Sequence, residues 1–135
     1  VLADDMGLGK TVQTLTLMQA EKEAGRGTSL LVMPTSLVYN WEMEAQKFVP
    51  ELKILTYTGT QRNKDVKRFE QYDIVITSYG ITRLDVELFK NFYFNYIILD
   101  ESQVIKNPTS NIAQAVHELK SRQKLALTGT PLENT

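Results

Sequence analysis

A three-layer α/β domain built on a mostly parallel sheet is the fold class that the sequence predicts, on three observations. Short apolar, β-branched runs recur along the chain. Several of them are continuously apolar, as strands buried on both faces of a parallel sheet are. Longer segments of helical period separate the runs, and such alternation places helices on both faces of the sheet. The 135 residues, with 42% hydrophobic and 23% charged side chains, suit one domain over residues 1–135 that buries roughly two thirds of its unfolded surface.

The opening Val1-Leu2-Ala3 reads as the tail of a strand, so upstream sequence is expected. Residues 10–24 follow as a helix with Val12, Leu15, Leu17 and Met18 inward, ended at Gly25-Arg26-Gly27. The next strand is 30–33. Residues 36–48 carry Leu37, Trp41, Ala45 and Phe48 at helical spacing and stop before Pro50. Strands at 54–57 and 74–77 flank a helical candidate at 65–71. A helix over 81–92 leads to a strand at 96–99, a helix over 110–119 and a final strand at 125–127. The chain has no repeat, low-complexity tract or linker.

Charge and composition exclude several classes. The net charge is −1, without the basic surplus of a free-standing nucleic-acid binder, so any such contact must come from a local patch or from parts outside this chain. With no cysteine, disulfides and thiolate metal sites are excluded and an intracellular protein is the default expectation. No apolar run approaches the ~18 residues that span a bilayer, so no membrane partner is expected.

Chemistry concentrates at three strand ends. The first is Asp4-Asp5-Met6-Gly7-Leu8-Gly9-Lys10-Thr11, after a short strand and before a helix. Amides of a tight loop and a helix N-terminus face an anion there, and glycines let the backbone come close. Lys10 is expected to set its ammonium against the outer phosphates of a triphosphate, and the Thr11 hydroxyl to ligate Mg²⁺. Asp4 stands where the strict pattern has glycine; Asp tolerates a left-handed backbone better than most residues. The bland reading of the segment is a glycine turn before a helix.

The second is Tyr96-Ile97-Ile98-Leu99-Asp100-Glu101, a buried-type strand that runs into two carboxylates. Ligands bind where parallel strands stop. Asp100 could hold Mg²⁺ through its water shell, and Glu101 could orient and deprotonate an attacking water. Two like charges ~4 Å apart oppose each other by roughly 4 kcal/mol at an effective dielectric of 20, a cost that a cation turns into a site. A solvated pair in a loop is the bland alternative. The third is Leu125-Ala126-Leu127 running into Thr128-Gly129-Thr130-Pro131, either a hinge sensing the γ-phosphate or an ordinary turn.

In order, DDMGLGKT, MPTSLVYNWEMEAQKF, VITSYG, LDESQVIKNP and ALTGTPLENT closely resemble the first RecA-like lobe of Swi/Snf-type ATPases in helicase superfamily two, over essentially the whole chain. The resemblance implies a P-loop NTPase fold truncated at both ends. It implies ATP and Mg²⁺ at Asp5, Met6, Gly7, Leu8, Gly9, Lys10 and Thr11, with Asp100 and Glu101 in the roles above and Lys10 beside Glu101 in catalysis. Coupling falls to Gln103, through an amide hydrogen bond toward Thr128, and to Thr128, Gly129 and Thr130. Double-stranded DNA is expected near Pro34, Thr35, Ser36, Thr77, Ser78 and Tyr79, with DNA-bound protein and a second RecA-like lobe in cis as further partners. That lobe supplies arginines that complete the site, so this chain alone is expected to bind nucleotide weakly and turn over almost none. An intracellular, DNA-associated location follows, nuclear in a eukaryote. DESQ departs from the commoner form of the motif at Ser102, which bears on coupling. A restriction-type translocase and a non-catalytic interaction module remain the alternatives. Trp41 reads as core or as a DNA contact, and His117 as solvent-facing without a role.

Overall fold

A computed structural model of the chain describes residues 3–59, 64–100 and 111–127, and the side chains of 10–59, 64–100 and 114–127. In chain order the elements are α1 (Ala3–Glu23), β1 (Ser29–Met33), α2 (Thr35–Phe48), β2 (Ile54–Thr56), a 3₁₀ segment (Val66–Gln71), β3 (Ile74–Ser78), α3 (Tyr79–Leu84), α4 (Val86–Phe89), β4 (Tyr93–Leu99), α5 (Asn111–Glu118) and β5 (Lys120–Ala126). Among the described residues the strands form one sheet in the order β2-β3-β1-β4-β5, and its pairings are parallel. All five carboxyl ends therefore lie along one edge.

The continuous apolar runs do what their composition demands. Every residue of β1 and β3 is buried, because helices cover both faces. On one face Leu15 and Met18 of α1 and Val38, Trp41 and Ala45 of α2 share a core with Leu31, Met33, Ile74, Ile76 and Ile98. On the other, Leu30, Val32, Val75, Ile97 and Leu99 meet Val116, Leu119 and a group of rings from Tyr57, Phe69, Phe89 and Phe94. Phe69 and Phe89 meet edge to face at 5.8 Å, the arrangement that ring quadrupoles favour. This is the expected three-layer sandwich.

Four features depart notably from expectation. First, α1 begins at Ala3, not at Lys10. Its glycines at 7 and 9 each cost about 1 kcal/mol in a helix, but Asp4 and Asp5 suit a helix N-terminus and Ala, Met and Leu propagate it well. Second, the helix expected over 81–92 is two short ones broken at Asp85. The Asp85 carboxylate is buried and accepts the Tyr57 hydroxyl at 2.8 Å, which fixes the chain there. Third, β5 starts at Lys120; its exposed Lys120, Arg122 and Gln123 conceal an edge strand from any search for apolar runs. Fourth, Val38 and not Phe48 completes the inner face of α2, and Phe48 is exposed. The strand expected at Val1-Leu2 lies outside the described residues.

The amino end of the sheet is where α1 is fastened. Gly25, with φ of 78°, takes the left-handed position past the helix, and the Arg26 amide closes back onto the Glu21 carbonyl at 3.0 Å. One Glu21 carboxylate oxygen accepts from the Asn95 amide at 2.9 Å and from Arg122 Nη2 at 3.1 Å, while Arg122 Nε donates to Asn95 Oδ1 at 2.9 Å. Lys22 pairs with Asp73 at 2.9 Å. The Asn95 hydrogen bond, with the charges of Arg26 and Arg122, holds the Glu21 carboxyl below its ordinary 4.5. A depressed carboxyl stabilises the fold above its unfolded pKa, and that contribution is lost as pH falls through its folded value. Glu21→Gln is expected to destabilise the chain by roughly 1 kcal/mol at pH 7. The gap to the native chain should close below pH 4.5 in urea titrations run across pH; a gap that persists in acid would point to packing instead.

Candidate functional site

Parallel strands gather the predicted residues at their carboxyl edge. Pro34, Thr35 and Ser36 follow β1, Tyr79 follows β3, Asp100 follows β4 and Leu127 follows β5. The register aligns these ends: Val32 pairs with both Thr77 and Leu99, and Leu99 pairs with Ala126. The Asp100 amide donates to Val32 O and the Leu127 amide to Leu99 O, both at 2.9 Å. Thr128, Gly129 and Thr130, one residue further on, lie outside the described residues, as do Glu101, Ser102 and Gln103.

The amino-terminal half of α1 reaches the same edge. Glu21 and Lys22 contact Asn95 and Asp73 near the amino ends of β4 and β3, so the helix runs against the strand direction. From Glu21 back to Thr11 is about 15 Å of helix, and from Asn95 to Asp100 about 17 Å of strand. On those lengths the Lys10–Thr11 end of α1 points toward the carboxyl edge where β4 stops. The Asp100 carboxylate also turns toward the α1–α2 face, where its Oδ2 accepts the indole N–H of Trp41 at 2.9 Å. Asp100 thus lies on the face of the sheet that α1 and α2 cover.

The loop itself has a different form. In a helix that starts at Ala3, amides from Gly7 onward point to carbonyls one turn back, so those of Gly7, Leu8, Gly9, Lys10 and Thr11 are engaged within α1. The expected tight turn is not formed. A phosphate loop needs support on its strand side, and that side, Val1-Leu2, lies outside the described residues. Lys10 is exposed and Thr11 half-buried.

The residues expected along DNA divide in two. Thr35 and Ser36 are exposed and Pro34 is half-buried at the start of α2, where no side chain caps the first amides. A helix start of that kind attracts phosphate. Thr77, Ser78 and Tyr79 are instead buried. Thr77 Oγ1 donates to Tyr57 O at 2.8 Å, Ser78 Oγ accepts from the Ile81 amide at 3.2 Å, and the Tyr79 hydroxyl donates to Asp100 O at 2.8 Å. Their side chains hold the edge together, and the surface beside them is at exposed Gly80. Trp41 is core, 3% exposed, yet its polar tip reaches Asp100, a link the helical spacing could not signal. His117 is exposed.

The family model described as SNF2-related domain matches residues 1–135. The chain belongs to the SNF2-related domain family. This SNF2-related domain is 46% identical to "Helicase ssl-1" of Caenorhabditis elegans over 142 residues, covering 100% of the chain and 6% of that protein. It is 42% identical to "Helicase domino" of Drosophila melanogaster, covering 99% of the chain and 4% of that protein. Among solved structures it is similar to the "Sulfolobus solfataricus SWI2/SNF2 ATPase core in complex with dsDNA", with TM-score 0.83 and 42% identity over 96% of the chain and 27% of that one. The likeness bears out the RecA-like α/β fold class. The SNF2-related domain thus spans a small part of the relatives it matches. No helix among its described residues is long and apolar enough to cross a membrane.

Proposed function

We propose that the chain is the first RecA-like, ATP-binding lobe of a DNA-dependent motor ATPase that couples hydrolysis to movement on duplex DNA. The observation that supports this reading is the position of Asp100 at the carboxyl end of β4, its carboxylate on the face that α1 and α2 cover, toward which the Lys10–Thr11 end of α1 runs. A hydroxyl and a carboxylate are hard oxygen donors, the set that suits Mg²⁺ bound through one carboxylate and a nucleotide's phosphates. When bound, Mg²⁺ neutralises charge developing on the phosphates. Lys10 would set its ammonium against the outer phosphates, Thr11 and Asp100 would hold the metal, and Glu101 would accept the proton of the attacking water. Asp5, Met6, Gly7, Leu8 and Gly9 line the phosphates once the first turns of α1 open into a loop. Gln103, Thr128, Gly129 and Thr130 relay the state of the site to a second lobe in cis.

The uncapped start of α2, with the Thr35 and Ser36 hydroxyls, receives a DNA strand phosphate. Thr77, Ser78 and Tyr79 shape the ledge beside it and approach DNA through backbone near Gly80. The similar solved structure, an SWI2/SNF2 ATPase core in complex with dsDNA, supports duplex DNA as the partner. DNA-bound protein is the cargo that such movement displaces, and the location is wherever that DNA lies.

One observation favours a second reading. The amides of Gly7 to Thr11 are already spent within α1, as they would be in an interaction platform that no longer binds nucleotide. Calorimetric titration with ATP and Mg²⁺ decides between the two. Weak but measurable, Mg²⁺-dependent binding to the chain is expected, with turnover appearing only when both lobes are present and rising with duplex DNA. A native chain that gives no heat and no thermal shift would support the platform.

A further inference from the structure

Trp41 is the chain's single tryptophan, and the helix that carries it starts at the edge where Asp100 sits. Its ring lies in the core between α2 and the sheet. A buried indole N–H needs an acceptor, since leaving it unmade costs the desolvation of the donor. A backbone carbonyl would serve for packing alone. The acceptor is instead Oδ2 of Asp100, at 2.9 Å, a bond strengthened when the acceptor is charged.

The surroundings of Asp100 define what this bond adds. Its backbone is gripped from both sides, by Val32 O accepting its amide and by the Tyr79 hydroxyl donating to its carbonyl. Neither of these backbone contacts involves the side chain, whose first torsion has three staggered wells. The indole bond favours the well that holds the carboxylate on the face of the sheet covered by α1 and α2. A carboxylate accepts at about four sites, so donation by Trp41 takes only a part of its capacity. Groups that orient a metal-binding carboxylate in this way commonly change metal affinity 10–100-fold when removed.

We propose that Trp41 is a positioning residue, whose indole N–H holds the Asp100 carboxylate in the rotamer that meets the metal–nucleotide. The inference rests on the nucleotide-site reading above and adds to it a residue that acts through Asp100 and touches neither metal nor nucleotide. It also makes the lone tryptophan a reporter of the site, because any cation at Asp100 is one side chain away from the indole.

The test uses the chain labelled with ¹⁵N-tryptophan, which gives one indole N–H resonance. That resonance is expected to move on Asp100→Asn, and to broaden when Mn²⁺ and ADP are added to the native chain but not to Asp100→Asn. A resonance indifferent to both would overturn the bond or its connection to the metal. Trp41→Phe keeps an aromatic ring in the core and removes the donor. Its affinity for ADP without metal is expected to stay within about twofold of native, while the Mg²⁺ needed for half-maximal tightening rises about tenfold. An unchanged Mg²⁺ requirement would overturn the positioning role and leave the nucleotide site standing. A native chain with no Mg²⁺ dependence would overturn the nucleotide-site reading, and this inference with it. Should Trp41→Phe fail to fold by circular dichroism, the indole measurements still decide, since they are made with Trp41 in place.

Discussion

Glu101→Gln in a polypeptide carrying both lobes is expected to lower ATP turnover by roughly 10²–10⁴-fold, the usual contribution of a positioned general base, while nucleotide binding persists. The reason is local. Asp100 is fixed at the carboxyl end of β4 by hydrogen bonds to β1 and α2, and the proposed base is its neighbour in sequence. Glutamine keeps the size and polarity of glutamate but cannot take a proton from water, so the ground state survives and the transition state loses its base. Rates measured in a single turnover, beside the dissociation constant for ATP and Mg²⁺, separate the two. Turnover at the native rate would remove Glu101 from the base role, and loss of binding would give it a part in holding the metal.

Replacing both Gly7 and Gly9 with alanine is expected to act in opposite directions on stability and binding. Each alanine favours the helical form of α1 by about 1 kcal/mol, so together they bias the opening turns toward helix by roughly 30-fold against a loop. The side chains they add would also crowd a backbone that must come close to phosphate. Thermal unfolding of the double variant should therefore occur at or above the native midpoint, with helical ellipticity kept. Binding of ATP and Mg²⁺ should weaken by more than that 30-fold. Native affinity in a demonstrably helical variant would show that the segment never opens, and the phosphate-loop role of Asp5 to Gly9 would fall.

How much of this was legible in the sequence depends on which interactions decide each part. Buried parallel strands announce themselves by apolar composition, which is why 30–33 and 74–77 lie within β1 and β3. The edge strand β5 does not, because the polar side chains of Lys120, Arg122 and Gln123 interrupt any apolar run in the strand that pairs with β4. The break at Asp85 depends on Tyr57, 28 residues away, and no local pattern carries such a contact. The order of the motifs points to one edge, and the all-parallel sheet brings Pro34, Tyr79 and Asp100 there. Thr77, Ser78 and Tyr79 illustrate the opposite case. Short polar residues at a strand end look available to a ligand, yet here each is spent on a neighbour. Trp41 was legible as core from its spacing, but the direction of its N–H belongs to the fold alone.

The fastening of α1 has a mechanical consequence. From Lys10 to Glu23 the helix is a strut about 20 Å long, with its hydrogen bonds in line with its axis. Its lower end is bolted by Glu21 to Asn95 and Arg122, on two adjacent strands. A pull applied where Lys10 emerges travels down the strut and is shared between β4 and β5, so the sheet bears the load as one plate. Stiffness of that kind lets a displacement at one rim be delivered intact to whatever is attached there.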